Sequence, residues 1–154
     1  MARVLVFDPG ESTGYFFYNG PLPYVFNNTQ PDVELGTIGK RYKDIGDIIE
    51  RLAPDIVVFE TFNLYPGSAK SLTWSSFYPC EVIGIIKYIC IQKCIELVPQ
   101  SPSVKGYCGG LDDLWRSWKR EKRPNVTEHT KDAYMHFKYY NLKLKNNARK
   151  IPGH

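Results

Sequence analysis

The sequence predicts an α/β domain on a mixed five-stranded sheet, three antiparallel strands followed by two parallel ones, with helices covering it. Three observations carry that expectation. Two short β-rich runs, Arg3 to Asp8 and Gly14 to Tyr18, flank the turn residues Glu11-Ser12-Thr13 and read as a hairpin. Asp55 to Glu60 (DIVVFE) is a continuous apolar run bounded by charge, the pattern of a strand buried on both faces. From there on, helical and β patterns alternate, which requires strand-helix-strand crossovers onto the same sheet.

The remaining elements follow in order. GPLPYVFNNTQPD is a loop rich in Pro and Asn, and Val33 to Ile38 is a third strand. From Tyr42 to Leu52, Ile45, Ile48, Ile49 and Leu52 fall at i, i+3, i+4 and i+7, one face of a helix that Pro54 stops. A polar-aromatic loop follows Glu60. Glu81 to Lys93 reads as a mostly buried helix, Ile95 to Val98 as a short strand closing at Pro99, and Ser103 to Lys122 as helical pieces broken at Gly109-Gly110. Thr127 to Leu144 is a long last helix, with Asn125 and Glu128 in capping-box spacing, and residues 145–154 are expected to be a flexible basic tail.

Composition bounds the class. The 154 residues are 43% hydrophobic and 14% aromatic, enough for one domain with a real core and too apolar for disorder. MARVLVFDPGE reaches Asp8 after a handful of apolar residues, and the run from Val82 to Ile91 is broken by Lys87, short of the roughly 20 residues of a membrane span. A soluble, cytoplasmic protein is expected. The net charge of +4 is unevenly spread: residues 1–114 hold 9 basic and 13 acidic side chains, residues 115–154 hold 11 and 3. A basic C-terminal quarter on an acidic body fits a polyanion meeting one face. Cys80, Cys90, Cys94 and Cys108 form no C-x-x-C pair, and the histidines complete no zinc spacing, so buried reduced thiols are expected.

Two acids stand where such folds gather their chemistry, at the carboxyl ends of central strands. Asp8 ends the first strand and Glu60 the fourth, and these strands are expected to be neighbours. Two converging carboxylates repel unless a cation sits between them, and all-oxygen ligation favours Mg²⁺ or Mn²⁺. His129 and Asp132 lie three apart on the last helix, with Ala133, His136, Phe137 and Tyr140 as its packing side, so that docking of the helix delivers both to the same sheet edge.

Asp8-Pro9-Gly10 with Thr13-Gly14-Tyr15, a hydrophobic strand ending in Glu60, and His129-Thr130-Lys131-Asp132-Ala133 together resemble the RuvC family of Holliday-junction resolvases, within the ribonuclease H-like superfamily. The resemblance runs from the first residue to about Leu144. It implies an acidic tetrad of Asp8, Glu60, His129 and Asp132 that holds two divalent metals, with Asp8 as bridging ligand and His129 as a metal ligand or a guide for the attacking water. The chemistry implied is hydrolysis of a DNA phosphodiester by in-line displacement across metals about 3.5 to 4 Å apart. It also implies a basic residue near the scissile phosphate, matched by Lys105, and an aromatic that stacks at the junction centre, matched by Phe62 or Tyr65. For Phe62, packing beneath the loop is an equal alternative.

WRSWKREKR at 115–123 places Trp115 and Trp118 at i, i+3, read as a packing face, among Arg116, Lys119, Arg120, Lys122 and Arg123, read as phosphate contacts. The leading expectation is a metal-dependent endonuclease that cuts branched DNA, above all four-way junctions, as a homodimer, with the helix from Glu81 to Lys93 as a dimer face. A nuclease for flaps, forks or RNA keeps the same residues. A non-catalytic binding module is disfavoured because all four proposed ligands are present, and an actin-like kinase needs about twice this length.

Overall fold

In the computed structural model, which describes residues 1–25, 30–62, 77–108 and 110–150, alternation along the first strand sets the architecture. β1 (Ala2–Asp8) sends Leu5 and Phe7 into one core and Val4 and Val6 into another, all four fully enclosed. A strand enclosed on both faces belongs in the middle of a sheet, and the order is β3-β2-β1-β4-β5. β2 (Thr13–Gly20) and β3 (Asp32–Ile38) extend it antiparallel. β4 (Ile56–Glu60) and β5 (Glu96–Gln100) extend it parallel on the other side of β1. This is the mixed sheet that the sequence predicts.

Helices α1 (Tyr42–Leu52) and α2 (Tyr78–Gln92) cover the first face, where Ile45, Ile49, Val82, Ile86 and Cys90 meet Leu5, Phe7, Val57 and Phe59. A 3₁₀ helix (Pro102–Tyr107), α3 (Asp113–Arg120) and α4 (Glu128–Lys150) follow β5, and α3 and α4 close the second face. Trp115 and Trp118 pack there against Tyr134 and Phe137 of α4, with Phe16 of β2 between them, so the tryptophan pair is the packing face the sequence predicts. Asp112 ties α3 to α4. One of its oxygens caps α3 by accepting from Trp115 N (3.0 Å), and the other accepts from Tyr134 Oη (2.7 Å).

Several boundaries differ from expectation, each for a local reason. α2 begins at Tyr78 rather than Glu81, because Pro79 falls in the first turn, where a missing N–H costs nothing. β5 runs through Pro99 to Gln100, which an edge strand tolerates. The cap of α4 is made by two threonines, not by Asn125 and Glu128: Thr127 Oγ1 accepts from Thr130 N (3.3 Å) while Thr130 Oγ1 accepts from Thr127 N (2.9 Å). α4 continues to Lys150, so residues 145–150 are helical rather than a flexible tail. No Gly or Pro interrupts them, and Arg149 and Lys150 sit favourably at the negative end of the helix dipole. Cys90 and Cys108 are buried free thiols as expected, whereas Cys80 and Cys94 are exposed, Cys94 in a left-handed turn that ends α2. No helix among the described residues is long and apolar enough to cross a membrane.

Candidate active site

The period-2 alternation that builds the core also aims the acids. Asp8 is in phase with Val4 and Val6, Glu60 with Val58, and Gln100 with Val98, and all of these apolar partners pack on the α3–α4 face. The ends of three strands therefore present polar side chains to one helix, α4, which contributes Asp132 and His136. Its approach is possible because Gly14, the partner of Asp8 in the β1–β2 register, has no side chain where the His129 backbone passes.

Lys105, on the 3₁₀ helix, lies between two of the carboxylates. Its Nζ is 3.1 Å from Glu60 Oε2 and 3.3 Å from Asp132 Oδ2. Burial works against its charge, yet the bond to Glu60 and the negative charges of Glu60, Asp132 and Asp8 hold its pKa above the ordinary lysine value. Burial likewise works against an ionised Glu60, but hydrogen bonds from His136 and Lys105 outweigh it and keep the pKa below the ordinary glutamate value. Asp8 has no such relief. Burial first, then the charges of Glu60 and Asp132 and, least, its hydrogen-bonding contact with Glu60, push it up to about 7 against the opposing pull of Lys105.

An excess of negative charge is thus gathered at one sheet edge with the Lys105 ammonium among it, and the donors are oxygens from three separate elements. That set fits a hard divalent cation, with Asp8, Glu60 and Asp132 as the residues that would hold it. Among the described residues no three His, Cys, Asp or Glu side chains already stand in ligating positions. The Lys105 ammonium bridges Glu60 and Asp132 instead.

The sequence matches no protein-family model, and no curated protein is significantly similar to it. Comparison of the fold is decisive. T. thermophilus RuvC in complex with a Holliday junction substrate superposes with a TM-score of 0.67 at 10% identity, over 95% of this chain and 96% of that one. The chain has the RuvC fold. The yeast mitochondrial Holliday junction resolvase Ydc2 matches at TM-score 0.55 and 11% identity, over 96% of this chain and 82% of that one. The fowlpox virus resolvase with its Holliday junction DNA matches at 0.52 and 14%, over 93% and 99%. The expected sheet, three antiparallel strands followed by two parallel ones, is therefore the observed one.

On this RuvC fold, Asp8, Glu60 and Asp132 come together, with Lys105 among them. His129 is exposed on the first turn of α4, at the rim of this group, and among the described residues it makes no hydrogen bond or ion pair with the carboxylates. Its backbone rests on Gly14, the register partner of Asp8. Phe62 packs against the first core, the alternative to a stacking role, and Tyr65 lies outside the described residues. Arg116, Lys119, Arg120 and Lys122 are exposed, whereas Arg123 is used by the fold: it donates to the Val33 carbonyl (3.0 Å) and lies over the Trp118 ring (5.0 Å). Two residues of the site, His136 and Gln100, are not singled out by the sequence. The available signal was His136 one turn beyond Asp132 and Gln100 in phase with Val98.

Proposed function

We propose that the chain is a metal-dependent endonuclease that resolves four-way DNA junctions, cutting as a homodimer and using two divalent ions, Mg²⁺ or Mn²⁺, per site. The observation that carries this reading is the convergence of Asp8, Glu60 and Asp132 around Lys105 at the carboxyl edge of a RuvC-type sheet. Divalent ions held there supply Lewis-acid activation of water and neutralise charge on the leaving oxygen. Asp8 is the ligand that has to surrender a proton first. Glu60 is kept ionised in advance by His136 and Lys105, and the Lys105 ammonium stands where it can also meet a phosphodiester. His129, on the rim, is retained as the fourth member of the tetrad.

Purified protein incubated with a synthetic four-way junction, a flap and a linear duplex, with and without Mg²⁺, tests the reading. Paired symmetric nicks confined to the junction are expected. Equal cutting of all three substrates reduces the protein to a general nuclease, and no cutting together with no heat of Mn²⁺ binding makes it a binding module.

For the DNA path we propose a groove of about 580 Å³ between α3 and the start of α4, lined by Arg116, Lys119 and Lys131 together with Trp115 and Glu128. Lys131 sits next to Asp132 in the chain and pairs with Glu128. Replacing Arg116, Lys119 and Lys131 by Gln is expected to weaken junction and duplex binding alike. The slope of log K against log salt should become shallower by nearly one for each phosphate that is no longer neutralised. A slope that stays at the wild-type value removes the groove from the DNA path.

Two symmetric cuts need two sites related by a two-fold axis. Along α2, Phe77, Tyr88 and Ile91 form an exposed stripe, Tyr88 and Ile91 each 66% exposed, with open space at Gly84 between them. A second copy seated on this stripe buries it. Y88D is expected to sediment as a monomer and to leave single nicks in place of paired cuts; a dimeric Y88D moves the interface elsewhere.

A further inference from the structure

The apolar side of α4 includes a residue, His136, that packing alone does not call for. Between Ala133 and Phe137, His136 is completely enclosed, and both of its ring nitrogens are engaged. Nε2 lies 2.7 Å from Glu60 Oε2, and Nδ1 lies 2.7 Å from Oε1 of Gln100. A buried imidazole is costly unless its nitrogens are hydrogen-bonded, and an aliphatic or phenyl group would fill the same space without that requirement.

Gln100 is itself buried and tightly placed. It is the β5 partner of Glu60 in the parallel register, and its carbonyl accepts from Thr61 N at 2.8 Å. The result is a closed set of contacts: β4 carries Glu60, β5 beside it carries Gln100, and α4 inserts His136 between the two side chains. His136 reaches Glu60 from inside the protein, while Lys105 reaches it from the 3₁₀ helix. Both fall on Oε2, so Oε1 is taken by neither.

We infer that His136, anchored by Gln100, is a positioning residue that fixes the Glu60 carboxylate for divalent-metal binding and DNA cleavage. The inference rests on the nuclease reading above. Hydrogen-bond partners of a ligating carboxylate typically govern 10- to 100-fold of metal affinity or activity. A static carboxylate also saves the reaction from having to order a flexible side chain at the moment of attack.

Three variants test it: H136F, which fills the space without a donor; H136Q, which keeps an N–H directed at Glu60; and Q100A, which removes the anchor and leaves the imidazole. Folding is followed by circular dichroism, Mn²⁺ affinity by calorimetry with the metal alone, and cleavage by kcat and KM on a four-way junction. H136F is expected to lose about 10- to 100-fold in both Mn²⁺ affinity and kcat while KM stays within about twofold. H136Q should recover most of the loss, and Q100A should fall between. A folded H136F with wild-type Mn²⁺ affinity and kcat overturns the inference while leaving the nuclease reading intact. If H136F does not fold, Q100A decides in the same way. A wild-type protein that neither binds Mn²⁺ nor cuts overturns both.

Discussion

Asp8→Asn is expected to abolish junction cleavage, by on the order of a thousandfold or more, and at the same time to make the metal-free protein more stable at neutral pH. The two effects share one cause. Asp8 is pushed up to about 7 in the folded chain by burial and by the charges of Glu60 and Asp132, against an ordinary 3.8. A carboxyl with a raised folded pKa holds its proton more tightly folded than unfolded. Its contribution therefore costs nothing below about pH 4, grows unfavourable as pH rises, and reaches its full penalty above about 7. A rise from 3.8 to about 7 corresponds to a ceiling of about 4 kcal/mol. Because Asp8 is only half-buried and shares its surroundings with Lys105, about 1–2 kcal/mol is the reasonable share. Asparagine keeps the shape and removes the charge, so melting at pH 7.5 without divalent ions should rise by roughly 2–8 °C. The gain should vanish at pH 4, where wild-type Asp8 is already neutral. D8N that melts below the wild type at pH 7.5 contradicts the electrostatic account; D8N that cuts at the wild-type rate contradicts its place in the site.

The carboxylates were legible in the sequence because each closes an apolar run. VLVF before Asp8 and VVF before Glu60 mark strands buried on both faces, and a charge directly after such a run can stand only at the sheet edge. Asp132 was legible through its place on an amphipathic helix, and Lys105 through the resemblance to the RuvC family. His136 was not, because a lone histidine among Ala133, Phe137 and Tyr140 reads as packing. What distinguishes it is Gln100, 36 positions away, and Gln100 reaches the site only because β5 continues through Pro99, a residue that in sequence looks like the end of the strand. His129 shows a different limit of the sequence. Its spacing from Asp132 puts both on one helical turn, and that turn rests on β2, with the His129 backbone against Gly14 and the residue exposed at the rim. Spacing fixes which side of a helix a residue takes; it does not fix how close that side lies to its neighbour.

That close approach makes Gly14→Ala the substitution with the second largest expected effect, although Gly14 carries no chemistry. A methyl group at position 14 would fall on the carbonyl group of His129, far inside van der Waals contact, with the His129 Cβ 2.9 Å away. The obstacle is backbone, so no side-chain rotation relieves it, and α4 has to lift from the sheet. Lifting it loosens Ala133, Tyr134 and Phe137 from the second core and strains the Thr127–Thr130 cap. Overpacking of this kind costs about 1–3 kcal/mol, and with a rigid obstacle the upper end applies, a fall in melting temperature of roughly 6–12 °C. The same lift carries Asp132 and His136 away from Asp8 and Glu60, and a displacement of about 1 Å at a reacting centre costs on the order of a hundredfold in rate. Gly46→Ala is the matched control: its methyl meets only Ile89 Cδ1, at an ordinary 3.5 Å, in the middle of α1. There the better helix propensity of alanine should stabilise the fold by up to about 1 kcal/mol without touching activity. The two glycine-to-alanine changes should thus have opposite signs in thermal melting, and only the first should slow cleavage. A G14A protein as stable and as active as the wild type would mean that α4 does not rest on β2 at this point, and with it the geometry that brings Asp132 to Asp8 would fall.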